Sequence, residues 1–390
     1  MTPGFRRTLA LRLTNALLAL LPPHLRDWGL AIRFELETIA DDRDALRFAL
    51  GSLLSLAPRA FAFHLLMPLT HLVGAEAHPM EATPMTDLPD DLFHRPRLFG
   101  LTCGIGAALL GLGYMTMADA PGRYLMVQSL ALVLGLALAG IVGRSDRASS
   151  GGVMMVLASI LLATSLTGAG IEGAHRWVGI GGLFVQISLI VVPSLILAFA
   201  RSRNSLSTVA MIVTAAALAA QPDRAMAGML AAGVAVAALH RADRRTVIAL
   251  AASVTGFAVT LWRADTLPAM PWVDQIYYSA FAIHVLAGLA VMLGTVLLLA
   301  PALVGWRRDE ANRASYSVFG AVWLSAIVAA ALGNYPTPVV GYGGSAVIGY
   351  LLSLSFLPKA TPSCIGVELP TERRKDEADH HMCIGIAYSH

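Results

Sequence analysis

Between residues 99 and 358 the chain is a succession of apolar runs, each about one bilayer long, separated by short polar clusters that usually hold arginine. A helix rises about 1.5 Å per residue, so crossing a hydrocarbon core of about 30 Å takes roughly 17–25 apolar residues. The runs fall at 99–118, 123–143, 151–169, 183–200, 205–220, 225–240, 246–262, 277–305, 314–333 and 345–358. The expected fold is therefore all-α: a polytopic membrane protein of about ten transmembrane helices, with those near 205–240 at the lower length limit. Composition agrees. Charged residues make up 14% of the chain and mean hydropathy is +0.65, whereas a soluble domain carries about 25% charge. Most connectors are short, so consecutive helices are expected as antiparallel neighbours in a compact bundle.

Arginines set the sidedness. Connectors after the even spans hold Arg144, Arg147, Arg201, Arg203, Arg241, Arg244, Arg245, Arg307, Arg308 and Arg313, against Arg123, Arg176, Arg224 and Arg263 after the odd spans. Ten against four, in strict alternation, assigns the even-side loops and both termini to the cytoplasm. The expected location is the bacterial cytoplasmic (inner) membrane.

Four segments follow. Residues 1–73 form an N-terminal amphipathic helical region, cytoplasmic or interfacial, and 74–98 a Pro-, Asp-, Glu- and His-containing linker. Residues 99–358 are the transmembrane domain and 359–390 a charged, solvated cytoplasmic tail. Within the first segment, Pro23–Ile39 reads as an amphipathic helix, and Asp41 or Asp42 caps a second one running through Leu50. The interrupted apolar stretch Leu53–Val73 is expected against the membrane interface rather than across it. The apolar N-terminus after Arg6 and Arg7 lacks a small-x-small cleavage site and reads as uncleaved.

The three cysteines form no disulfide framework, and Cys103 reads as a small core residue. His380, His381 and Cys383 lack the second spaced pair of a structural metal site. The net charge of +3, without a basic block, excludes nucleic acid as a partner. No Asp, Glu, Lys or Arg lies in the central portions of the spans, where His284 stands alone, and this argues against a transporter.

The odd-side loops hold the chemistry: 170–182, with acid, arginine, tryptophan and glycines; Gln221-Pro222-Asp223-Arg224; 263–275, with Arg263, Asp265, Trp272 and Asp274; and 333–345, ending in Gly341-Tyr342-Gly343-Gly344-Ser345. Singly, each has a plain structural reading. Trp177 and Trp272 suit an interfacial belt, Arg176 and Arg224 suit exposed ion pairs with Glu172 and Asp223, and the glycines suit a tight turn. Gly104, Gly106, Gly111 and Gly113 lie inside the first span with no flanking strand, and so read as helix-packing glycines.

Taken in order, these segments resemble the SEDS family (the RodA/FtsW/SpoVE group). Gly173-Ala174-His175-Arg176-Trp177, followed by Gln186 and Ser188, is similar to the family's "GAxRW…QPSE" signature. Gln221-Pro222-Asp223 resembles its "QPD" motif, and Pro338 to Ser345 its "LPFISYGGS" motif. The resemblance covers about residues 99–358. It implies a peptidoglycan glycosyltransferase that polymerises lipid II at the outer membrane face, in cell-shape or cell-division wall synthesis, beside a class B penicillin-binding protein. The family's proposed catalytic aspartate lies in a stretch like "LPExxTDF". Leu267-Pro268 here precedes Asp274 by one residue more than that pattern, which makes Asp274 the transferred base and Asp265 the reserve.

Candidate substrate-binding residues are Arg176, Trp177, Gln186, Asp223, Arg224, Arg263, Asp265, Tyr342, Gly343, Gly344 and Ser345. A carboxylate can take the acceptor hydroxyl's proton while arginines offset charge on the departing diphosphate. The sequence requires no cofactor; Mg2+ or Mn2+ beside the diphosphate is the one the chemistry admits. Expected partners are lipid II, membrane lipid and the penicillin-binding protein. Departures from the family pattern bear on activity. Leu189 replaces the "QPSE" glutamate, Val192 stands for the following lysine, Gly341 for a serine and Ala269 for the "PE" glutamate, and the loop at 263–275 is short. The alternative reading is a catalytically inactive SEDS-like scaffold or regulator, and after it a transporter or flippase of lipid-linked substrate.

Overall fold

A computed structural model describes residues 3–21, 26–53, 56, 95–167, 169–171, 174–263 and 268–359. The chain divides into two compact units, 1–89 and 90–390.

In the first unit, α1 (Pro3–Leu20) and α2 (Arg26–Thr38) pack together, and α3 occupies 42–53. Apolar residues one or two turns apart meet in small cores, Ala10, Leu36, Ala45 and Ala49 in one and Leu17, Leu21 and Leu56 in another. Asp41 caps α3: its carboxylate accepts from the backbone N–H of Arg43 at 2.6 Å and of Asp44 at 3.3 Å. Those two bonds hold the Asp41 carboxyl below the usual range. Arg7 ties α1 to the end of α2 by donating to the carbonyls of Ile39 and Glu37. Beyond residue 53 the expected interfacial helix lies, apart from Leu56, outside the described residues, as do the expected linker up to residue 94 and the tail after 359.

The second unit is a multi-pass helical membrane protein. Its helices are α4 (Pro96–Met117), α5 (Gly122–Arg144), α6 (Gly151–Thr167), α7 (Ile187–Arg201), α8 (Ser205–Ala220), α9 (Arg224–His240), α10 (Arg244–Leu261), α11 (Ile276–Ile283), α12 (Val285–Arg308), α13 (Arg313–Leu332) and α14 (Gly344–Leu354). The apolar runs of the sequence map onto these helices one for one, except the eighth. Among the described residues five helices are long and apolar enough to cross a membrane, including the stretch Glu310–Leu332, and α6, α7, α8, α9 and α14 are apolar but shorter.

Three expectations are corrected. The run 277–305 is two helices, because His284 adopts an extended backbone (φ −163°, ψ 144°). Its Nδ1 accepts the Leu286 N–H at 3.0 Å, so the lone histidine caps α12 instead of sitting within a continuous span. The fourth run begins as strand: β1 (Ala169–Ile171), β2 (Ala174–Ile180) and β3 (Leu183–Gln186) form a small antiparallel sheet, β1-β2-β3. Gly181 and Gly182, at φ 57° and 83°, make the two-residue turn between β2 and β3, because this hairpin type needs positive φ at both central positions.

The third correction concerns packing. Most of the extensive contacts join helices apart in sequence, α4 with α12, α6 with α8, α8 with α10, α9 with α13 and α5 with α14, while the consecutive pairs α9–α10, α11–α12 and α12–α13 also pack together. Short connectors bring helix ends together but leave face-to-face packing to residue size. At Gly104 an added Cβ would lie 2.8 Å from the Tyr350 ring, and at Gly111 2.6 Å from the Val340 carbonyl oxygen, so small residues permit the close approach. Gly113 faces open space instead. Helix α7, apolar on every side, is buried almost throughout from Ser188 to Phe199 and forms the centre of the bundle. Cys103 is buried.

Arg97, which precedes the first span, and two of the even-side arginines fasten one end of the bundle. Arg97 donates to Leu357 O at 2.7 Å and Gly143 O at 2.9 Å, Arg201 to Phe356 O at 3.0 Å, and Arg245 to Arg203 O at 2.8 Å. Cations thus satisfy carbonyls left over where helices end. The odd-side loops gather at the other end.

Candidate functional site

At that other end the three motif segments meet. The hairpin returns the chain to the bundle with Trp177 paired to Gln186 across the strands, and Ser188 follows on the first turn of α7. Asp223 is the N-cap of α9, accepting Met226 N–H on Oδ1 at 3.3 Å. Its Oδ2 accepts from the Ser188 hydroxyl at 2.7 Å and from Gln186 Nε2 at 3.1 Å. The Gln186 N–H donates to Ser345 Oγ at 3.0 Å. Arg176, buried on β2, donates to the carbonyl of Pro222. Gln221, also buried, donates to Leu161 O at 3.1 Å and to Thr164 Oγ1 at 3.3 Å.

Asp223 is wholly inaccessible. A carboxylate that deep persists only with partners, and three donors supply them. Its pairing with Arg224 is not what the structure shows: Arg224 instead donates to the Arg263 carbonyl at 3.0 Å. Arg263, exposed, reaches Ala220 O at 3.4 Å. Among the expected binding residues, Arg176, Gln186, Asp223 and Ser345 are therefore joined in one buried network, while Arg224 and Arg263 stitch neighbouring loops at its rim. Trp177 is half-buried on the sheet.

Asp274 lies on a second group of residues linked to the first by the loop 333–345. This loop pairs with the segment 272–274: Thr337 N–H donates to Val273 O at 2.9 Å, and Tyr342 N–H to Trp272 O at 2.7 Å. Tyr342 stacks on Tyr124 with ring centroids 4.0 Å apart, and Trp272 meets Tyr124 edge-on at 5.8 Å. Trp272 Nε1 donates to Ala118 O at 3.0 Å. Trp272, Gln275 and Val339 all have positive φ, of 60°, 55° and 66°. For β-branched Val339 above all this is a strained backbone, the kind that surrounding contacts must hold in place.

The Asp274 carboxylate turns back into its own loop. Oδ2 accepts Met270 N–H at 2.8 Å, and Oδ1 is buried without a hydrogen-bond partner. Burial raises its pKa above the ordinary 3.8, and the Met270 bond works the other way. Asp265 lies outside the described residues, as do Glu172 and Gly173.

Sequence reasoning missed Gln128. Fully buried in α5, it donates through Nε2 to Val339 O at 2.8 Å and Gly341 O at 3.0 Å, and accepts Gly343 N–H on Oε1 at 3.2 Å. One amide side chain thus clasps the glycine-rich loop. The available signal was a glutamine in an otherwise apolar span, since such a group must find partners in a bundle interior. Gly341 has a related reason: a Cβ there would lie 3.0 Å from Thr337 O and 3.3 Å from Trp272 O. Leu189 and Val192, where the family signature carries polar residues, are buried in α7.

Neither a protein-family model nor a curated protein sequence matches the chain. Among solved structures, it is similar to the rod shape determining protein RodA of Thermus thermophilus, at 21% identity over 66% of this chain and 94% of that one, with a TM-score of 0.47. A mutant of the same protein matches with the same figures.

Proposed function

We propose that this chain is a SEDS-type glycosyltransferase that polymerises lipid II at the end of the bundle bearing the odd-side loops. The observation that carries the reading is the convergence around Asp223: of three segments chosen from the sequence for their likeness to one family, and far apart in the chain, two meet at its buried carboxylate and the third joins them where Ser345 accepts the Gln186 N–H. Asp274 takes the proton of the acceptor hydroxyl. That oxygen bonds to the donor's anomeric carbon as the carbon–oxygen bond to undecaprenyl diphosphate breaks. Because Oδ1 is buried and Oδ2 engaged, the segment 268–275 turns the carboxylate outward in the reacting complex. The raised pKa belongs to the inward, buried carboxylate of the resting protein.

Arg263 and Arg224, at the rim, offset charge on the departing diphosphate. Among the described residues no three His, Cys, Asp or Glu side chains group together, and no step is assigned to a divalent cation. A class B penicillin-binding protein is the proposed partner, and the bacterial inner membrane the proposed location, with both termini cytoplasmic. The test is lipid II polymerisation by purified protein, alone and with that partner, beside Asp274→Ala. Polymer with wild type and none with the variant is the expected result.

Two observations favour the inactive scaffold as the second reading: the inward carboxylate of Asp274, and the buried Leu189 where the family signature has glutamate. On that reading neither preparation makes polymer, and Asp274→Asn fully complements a deletion strain.

A further inference from the structure

At the opposite end of the bundle, the ends of α7, α9, α10 and α13 border an open cavity of about 570 Å³, within the size range of small-ligand sites. Five arginines line it (Arg201, Arg203, Arg241, Arg244 and Arg245), against the single carboxylate of Asp243. That carboxylate is already engaged. It caps α10 through Thr246 N–H at 2.8 Å, and lies 3.7 Å from both Arg203 and Arg241. Arg203 is spent on the structure, donating to Arg241 O at 3.1 Å and Ala237 O at 3.4 Å at the end of α9. Arg201 and Arg245 each donate to one carbonyl, of Phe356 and Arg203, and with Arg241 and Arg244 they are exposed at the mouth.

Five guanidinium groups against one carboxylate leave a net positive charge around one concavity, which a further anion placed between them offsets. Guanidinium forks match phosphate oxygens, and the N-terminus of α10 adds its positive end. Ala200 and Ala314 complete an apolar wall beside the charges, at the boundary where apolar helix surface gives way to water. Basic pockets between transmembrane helices suit anionic headgroups.

We infer that this cavity is a phosphate-binding site for the headgroup of an anionic phospholipid, separate from the odd-side loops and independent of the reaction proposed there. A free phosphate has the same oxyanion chemistry, and the experiment separates the two sources.

Full-length protein in neutral detergent is incubated with phosphatidylglycerol, phosphatidylcholine or sodium phosphate, and bound lipid is counted by native mass spectrometry. Retained phosphatidylglycerol is expected to fall at least fivefold in Arg241→Gln/Arg244→Gln. It is expected to stay within twofold of wild type in Arg307→Gln/Arg308→Gln, which removes the same charge outside the cavity. On wild-type protein, so that the result does not depend on a variant folding, phosphatidylglycerol is expected to protect Arg241 and Arg244 from an arginine-selective reagent. Protection by phosphate alone, saturable and without lipid retention, supports the site with a soluble occupant. Protection by neither probe, or equal lipid loss in both double variants, overturns it.

Discussion

Replacing Gln128 by leucine tests whether one side chain holds the glycine-rich loop in place. The two side chains are close in volume, so packing changes little and the perturbation is mainly the loss of hydrogen bonds. The carbonyls of Val339 and Gly341 lose their amide donor and Gly343 N–H loses its acceptor. A buried polar group left unsatisfied costs about 1–3 kcal/mol. Gly343 is half-buried and recovers part of its loss through water, so Gln128→Leu should destabilise the loop by about 3–5 kcal/mol. Amide exchange read by mass spectrometry over residues 337–345 reports this directly, because about 1.4 kcal/mol corresponds to a tenfold change in the opening equilibrium. Protection there should fall by about a hundredfold or more, with little change in α6 or α8. The strained φ of Val339 and the Tyr124–Tyr342 stack depend on the same loop and should relax with it. A fall of less than fivefold would refute the clasp.

Further outcomes follow from the same geometry. Ser188→Ala removes a 2.7 Å bond to the buried Asp223 carboxylate and should lower stability by about 1.5–3 kcal/mol; a double-mutant cycle with Asp223→Ala, read by denaturant unfolding in micelles, should show coupling of similar size, and additive losses would contradict the network. Gly111→Ala places a Cβ 2.6 Å from the Val340 carbonyl oxygen and should destabilise by about 1–3 kcal/mol, measured as a lowered melting temperature. For Asp274, the folded carboxyl has its pKa raised above 3.8 by burial. Between the two values the folded state binds more protons than the unfolded, so this group's contribution to stability falls as pH rises through the raised pKa and recovers on acidification. Asp274→Asn should remove this pH dependence, read by denaturant unfolding in micelles across the acid range.

Much of the architecture was legible because it follows from local rules. A bilayer imposes a run length on each span, so helix positions could be counted along the chain, and arginine alternation sorted the loops into two ends before any contact was known. The short motifs were visible as residue types in order, and Gly181-Gly182 between two short apolar runs carried an unread hairpin signal. His284 broke its span because its ring nitrogen competes for a helical N–H, a choice that no run length encodes.

What only the tertiary structure decided is which distant groups share a hydrogen bond. Nothing in Gln221-Pro222-Asp223 says that its carboxylate meets Gln186 and Ser188, nor in α5 that Gln128 serves three backbone groups of a loop more than two hundred residues later. Apolar helices in lipid gain little from the hydrophobic effect when they meet, so their partners are chosen by small-residue surfaces and by buried polar groups seeking satisfaction. Both are properties of assembled faces rather than of sequence windows. That is why α4 lies against α12 rather than against its sequence neighbour, and why the spans could be listed from the sequence while the site could not be assembled from it.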